Sequence, residues 1–161
     1  MAPIAPAADR PLHNPNDVVL RAHRRQGQLT LVEADLAGSP VVAFLDSGAE
    51  STIGNLALRA MATARQPQAV WSEAPVLSVT GQTVNAAMTG VDALRIGGLR
   101  LPTWPVAFAD LHAFSLWNLT AEPALMIGVD VLSRFSLVSL DFLRDEVRFR
   151  DVAQAWSPRV V

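Results

Sequence analysis

Short runs in which apolar and polar residues alternate, each ended by turn-forming residues, constrain the fold of this chain more than any other feature. In the first clear example, apolar residues alternate with Glu33 and Asp35 over residues 32–36, the sequence AGSP follows, and residues 41–45 are apolar throughout. Alternation with period two is typical of β-strands, and Gly, Ser and Pro favour a turn between strands. The segment therefore predicts a hairpin whose second strand is buried on both faces.

Three further hairpins are predicted later in the chain. Alternation resumes over residues 76–102 and is interrupted at Thr80-Gly81-Gln82 and again at Gly97-Gly98. The paired glycines are a strong hairpin signal, because a two-residue turn requires positive φ at its centre. Alternation over residues 137–149, broken by a polar turn, predicts the last hairpin.

Helical periodicity is confined to short segments. The sequence NLALRAMATAR, residues 55–65, predicts one short helix with Asn55 as its N-cap. A second helical turn is expected directly after Gly128, where an apolar strand breaks. Residues 111–123 show no clear period, and they are predicted to form a loop that carries Phe114 and Trp117.

The predicted elements indicate a fold that is mainly β. Many short strands, one or two short helices and no repeated βαβ unit favour a closed or partly closed β-barrel. Pro102 and Pro105 indicate that the strand near them lies at a sheet edge, since proline cannot donate a backbone hydrogen bond.

Length and composition predict one folded domain. The chain has 161 residues, of which 50% are hydrophobic and 17% charged, enough for one core and too short for two. Residues 1–27 are rich in Pro, Ala and polar groups and are predicted to be a flexible N-terminal arm. The domain is expected at residues 28–150, followed by a C-terminal tail at residues 151–161.

Several classes of function lack support in the sequence. A net charge of −2 gives no electrostatic reason to expect a nucleic-acid partner, and no apolar run is long enough to span a membrane. There is no cysteine, no Gly-x-Ser-x-Gly motif, and the three histidines are scattered, so neither a metal nor another cofactor is expected. The sequence predicts a soluble chain, and it leaves both the bacterial cytoplasm and an exported, periplasmic location open.

The sequence AFLDSGAEST, residues 43–52, raises the question of function. A carboxylate, Asp46, ends a run that is apolar on both faces, and a hydroxyl residue and a glycine follow it. Asp, Ser and Gly are common in ordinary turns, so this motif alone favours a structural turn. A second motif, Leu125-Met126-Ile127-Gly128, lies 80 residues after Gly48 and is followed by VDVLSRF and the last hairpin.

Together, FLDSGAEST and ALMIGVDVLSRFSLVSLDF resemble the retropepsin-like aspartic proteases, and most of all their single-lobe bacterial members. The resemblance extends over residues 28–149. It implies a barrel of the retropepsin type in which Asp46 is the catalytic carboxylate. It also implies that Ser47 locks two catalytic loops together, and that Gly48 and Ala49 frame the site.

The resemblance assigns two further parts of the site. Ile127 and Gly128 belong to the motif that crosses beneath the catalytic loop and supports it, where glycine allows close approach of the backbone. The hairpin around Thr80, Gly81 and Gln82 falls where the family has its flap, the hairpin that closes over a bound peptide.

Asp46 is the one aspartate of the sequence with a glycine two places on. Aspartic proteolysis requires two carboxylates that share a proton, so the resemblance implies a homodimer with one Asp46 from each copy. The predicted function is therefore an aspartic endopeptidase that acts on peptides or proteins. The alternatives are an inactive retropepsin-like module that dimerises or binds peptide, and an unrelated small β-barrel that binds an apolar ligand.

Overall fold

A computed structural model describes residues 14–27, 29–77 and 81–156, and the statements below concern this part of the chain. Twelve strands form one sheet. They are β1 (Val18–Arg25), β2 (Leu29–Leu36), β3 (Ser39–Leu45), β4 (Ile53–Gly54), β5 (Ser72–Leu77), β6 (Thr83–Val91), β7 (Leu94–Ile96), β8 (Leu99–Arg100), β9 (Trp104–Phe108), β10 (Ala124–Ile127), β11 (Leu137–Asp141) and β12 (Glu146–Arg150).

Four helical segments accompany the sheet. They are α1 (Leu56–Arg65), α2 (His112–Leu116), α3 (Val129–Leu132) and α4 (Val152–Ala155). The first and third were expected, whereas α2 lies in the predicted loop at residues 111–123 and α4 in the predicted tail. In α2 the side chain of Phe114 is fully buried and stacks edge-on against Phe44 of β3. No helix of the described part is long and apolar enough to cross a membrane.

The sheet runs in the order β11-β12-β1-β2-β3-β10-β4-β9-β6-β5, with β7 and β8 paired beside β2. The fold is mainly β, as the sequence predicts. The two end strands of this order, β11 and β5, do not pair with each other, so the barrel is only partly closed. The predicted hairpins are present as β2–β3, β5–β6, β7–β8 and β11–β12. In the tight turn between β7 and β8, Gly97 has a φ of 57°, which accounts for a glycine there.

The position predicted for the strand that contains Pro105 was wrong. β9 is an interior strand, antiparallel to β6 and parallel to β4. β4 is only two residues long and pairs with Ala107 and Phe108, so it does not extend as far as Pro105. The missing backbone N–H of Pro105 therefore costs no hydrogen bond to β4.

Two hydrophobic clusters fill the fold. The larger one joins β1, β2, β3, β7 and β12 and includes the fully buried Leu36, Leu94 and Phe149. The smaller one is built around Phe44, Phe114 and Met126 and extends to the hairpin β5–β6. The strands β3 and β10 contribute to both clusters, which explains why each has an almost uninterrupted apolar sequence.

The predicted flexible arm, residues 1–27, contains a strand. β1 pairs with β12 through its first half, where Val18 faces Phe149, and with β2 through its second half. The sequence VVLRAHRR buries Leu20 and Ala22, whereas the basic residues Arg21, His23 and Arg24 of this strand are exposed. Residues 1–13 lie outside the described part of the chain.

The start of β1 is held to β12 by an ion pair. Both carboxylate oxygens of Asp17 accept from Arg150, Oδ1 from Nε at 2.9 Å and Oδ2 from the second guanidinium nitrogen at 3.0 Å. The Asp17 side chain is 1% exposed. The hydrogen bond from Arg150 holds the pKa of Asp17 below its ordinary value of 3.8.

This ion pair predicts a specific contribution to acid unfolding. Because the pKa of Asp17 is lowered in the folded state, its stabilising contribution is complete above pH 3.8 and is lost as the pH falls through the folded value. We expect Asp17→Asn to lower the melting temperature at neutral pH and to flatten its decline below about pH 5. Melting curves from pH 2 to 7 measure this, and an unchanged pH profile in the variant would contradict it.

Candidate active site

Asp46 lies where the two central parallel strands end. β3 and β10 run parallel with Leu45 opposite Ile127, and the backbone N–H of Asp46 donates to the carbonyl oxygen of Ile127 at 3.0 Å. Ile127 is fully buried. Two buried strands therefore fix the backbone from which this carboxylate projects.

The residues after Asp46 form a tight turn around its carboxylate. The N–H of Gly48 donates to Asp46 Oδ1 at 2.9 Å, and the N–H of Ala49 donates to the carbonyl oxygen of Asp46 at 3.2 Å. Within the described part of the chain, this bond to Oδ1 is the one hydrogen bond of the Asp46 side chain. Asp46 is half-buried, whereas Ser47 and Gly48 are exposed, so the turn presents a carboxylate and a hydroxyl together at the surface.

Gly128 packs directly against this turn. A methyl group added at Gly128 would lie 2.5 Å from the carbonyl oxygen of Ser51 and 2.9 Å from that of Ala49. The next residue completes the contact, since the N–H of Val129 donates to the Ala49 carbonyl at 2.8 Å. The two sequence motifs are therefore brought together, with the glycine motif bound to the Asp46 turn through the backbone.

A partly buried polar network, not predicted from the sequence, joins the same two segments. The Thr52 hydroxyl donates to Asp130 Oδ1 at 2.8 Å and accepts from the N–H of Gly128 at 3.1 Å. Asp130 Oδ2 accepts from the Trp104 indole at 3.1 Å. Thr52 belongs to the first motif and Asp130 follows the second by two residues, but no local pattern indicates that they meet.

Two of the predicted flap residues, Gly81 and Gln82, directly precede β6 in the connection from β5. Thr80 is outside the described residues, while Gly81, with a φ of 78°, and Gln82 are exposed. Lower in the hairpin, Val76 and Ala86 belong to the cluster against which Ala49 packs. The β5–β6 hairpin and the Asp46 turn therefore share one apolar cluster.

Away from Asp46, the described residues form a cavity but no metal-binding cluster. No group of three or more His, Asp or Glu side chains that could hold a metal ion occurs in the described residues. A cavity of about 830 Å³ lies elsewhere, on the β2–β3 side of the sheet, and is lined by His23, Arg25, Glu33, Asp35 and Glu122 among others. This cavity is separate from the Asp46 turn, where the two sequence motifs are in contact.

Comparison with known proteins agrees with this geometry. A family model described as Aspartyl protease matches residues 32–131. The chain is also similar to the crystal structure of a retropepsin-like aspartic protease from Rickettsia conorii, with a TM-score of 0.53 and 15% sequence identity over 83% of this chain and 89% of that one. No curated protein matches the sequence significantly. At this identity the structural likeness shows a retropepsin-like fold.

Proposed function

This chain belongs to the aspartyl protease family, and from that premise we propose that it is an aspartic endopeptidase whose active site forms between two copies of the chain. The observation that carries the proposal is the Asp46 turn itself. An ionisable carboxylate with one oxygen held by a backbone N–H stands beside an exposed hydroxyl, on a backbone fixed by two buried strands.

A pair of such carboxylates supplies both an acid and a base. Two carboxyl groups a few ångströms apart cannot both ionise, so at mildly acidic pH they hold one proton between them. The ionised Asp46 removes a proton from water as the water oxygen bonds to the peptide carbonyl carbon. The protonated Asp46 of the second copy gives its proton to the carbonyl oxygen, which produces a tetrahedral gem-diol.

The second half of the reaction restores the pair. The first Asp46 donates the proton it gained to the amide nitrogen as the C–N bond breaks, and the other takes a proton back from the gem-diol. The products are a carboxylic acid and an amine, and the two carboxyls again share one proton. No covalent intermediate with the protein forms.

The exposed position of the turn supports a shared site. A single chain supplies one Asp-x-Gly motif, and a two-fold axis beside Ser47 would bring the second Asp46 into place. The Ser47 hydroxyl has no hydrogen-bond partner in the described part of the chain, so it is available to the opposite turn. An extended peptide would lie between the paired turns and the β5–β6 hairpin, held by main-chain hydrogen bonds.

Cleavage of a mixed peptide library tests this function. The protein is incubated at about pH 4 to 6, where one proton can be shared by the pair, and the products are identified by mass spectrometry. We expect internal cleavage that a statine-containing peptide, a mimic of the tetrahedral intermediate, inhibits. Peptide binding without cleavage would instead support the inactive, peptide-binding alternative.

A further inference from the structure

We propose that Asp130 is a positioning residue that holds the Asp46 turn in its reactive geometry, with Thr52 and Trp104 as its obligatory donors. This inference rests on the proposed function. Asp130 is half-buried at the start of α3, and its own N–H donates to the carbonyl oxygen of Glu50 at 3.1 Å. It therefore contacts the segment after Asp46 through both backbone and side chain.

The hydrogen bonds of the Thr52 hydroxyl require a hydrogen-bond acceptor at residue 130. Thr52 is 1% exposed, and the N–H of Gly128 can only donate to its oxygen. The single hydroxyl hydrogen is then directed to Asp130 Oδ1. Since the Trp104 indole also can only donate, residue 130 must accept on both of its terminal atoms.

A carboxylate meets this requirement and an amide of the same shape does not. In Asp130→Asn, one orientation of the amide places its NH₂ group against the indole N–H. The other orientation leaves the buried Thr52 hydroxyl hydrogen without an acceptor. In the first arrangement, repulsion from the indole N–H displaces residue 130, and in the second Thr52 loses its acceptor, so both weaken the link through Thr52 to Gly128, whose backbone packs on the Asp46 turn.

The side chain of Trp156 packs against Trp104 and supports the network. The Trp104 ring packs edge-on against Trp156, with centroids 5.4 Å apart, and Trp156 in turn packs on Phe135. This aromatic contact orients the indole N–H towards Asp130. The network therefore links Trp156, which directly follows α4, to the Asp46 turn through one carboxylate.

The test combines Asp130→Asn with Trp104→Phe, which removes the competing indole donor. We expect Asp130→Asn to lower kcat about tenfold while KM changes less than about twofold, because the turn is displaced while the peptide-binding surfaces remain. In the Trp104→Phe background the same change should lower kcat by about twofold or less, because the amide can then face the ring and still accept from Thr52. Asp35→Asn, outside the network, is the control.

Amide hydrogen exchange supplies a readout that does not depend on cleavage. We expect Asp130→Asn to speed exchange at Gly48, Ala49 and Val129, with the amides of β12 as the reference for global unfolding, and Trp104→Phe to suppress that increase. Equal kcat losses in both backgrounds, or unchanged exchange in the turn, would overturn the inference. If the wild type cleaves no peptide, the proposed function fails, and the exchange experiment alone decides whether Asp130 positions the turn.

Discussion

Replacing Asp46 with asparagine is expected to abolish peptide cleavage and to leave the fold intact. The amide oxygen can still accept the hydrogen bond from the Gly48 N–H, so the turn keeps its geometry. An amide can neither ionise nor share a proton, so both acid and base catalysis are lost from the pair. We expect kcat/KM to fall by at least about 10²- to 10⁴-fold, measured on the best peptide from the library.

Asp35→Asn provides a matched control for this substitution. Asp35 also accepts a hydrogen bond from a glycine N–H in a turn, that of Gly38 at 2.8 Å, but it lies in the β2–β3 hairpin. We expect this variant to retain wild-type activity and Asp46→Asn to retain a wild-type melting temperature within a few degrees. Proteolysis that persists in purified Asp46→Asn would remove Asp46 from the mechanism.

Replacing Gly128 with alanine is expected to have the largest effect on stability. Its φ of −91° suits any residue, so the cost comes from contact alone. The new methyl group would lie 2.5 Å from the Ser51 carbonyl oxygen and 2.6 Å from its carbon, and these are backbone atoms that cannot rotate away. We expect the free energy of unfolding to fall by about 3 kcal/mol or more and activity to be lost, because the Asp46 turn must move.

Urea unfolding of the Gly128→Ala variant measures this cost, and Gly98→Ala is its control. Gly98 lies in the β7–β8 turn, its φ is not positive, and no heavy atom beyond its chain neighbours lies within 4 Å of an added methyl group. We expect that variant to unfold within about 0.5 kcal/mol of the wild type. Similar behaviour of the two alanine variants would show that close approach at Gly128 does not hold the turn.

Elements defined by local sequence could be predicted. The β2–β3 and β7–β8 hairpins follow from period-two alternation and glycine turns, and Asn55 caps α1 by accepting from the Leu58 N–H at 2.8 Å. β1 was missed because its buried residues, Leu20 and Ala22, are few among arginines. The first half of β1 pairs with β12, which lies more than a hundred residues away, so no neighbouring segment reveals that part of the pairing.

The same distinction applies to the site. The Asp46 turn and Gly128 each carry a recognisable local motif, and the structure places them in contact. The Thr52–Asp130 hydrogen bond joins residues 78 positions apart, and the Trp104–Asp130 bond joins residues 26 apart. Such contacts depend on how β9, β10 and α3 pack together, and no local pattern in the sequence reveals that packing.

Subunit mixing tests most directly whether two chains share one active site. Wild-type protein is mixed with increasing amounts of Asp46→Asn protein, allowed to exchange subunits, and assayed at constant wild-type concentration. If each site needs two Asp46 carboxylates, an equimolar mixture holds about a quarter of its dimers as wild type, so activity falls to about half that of the wild type alone. Activity that stays constant however much variant is added would show that each chain acts alone and would contradict the shared site.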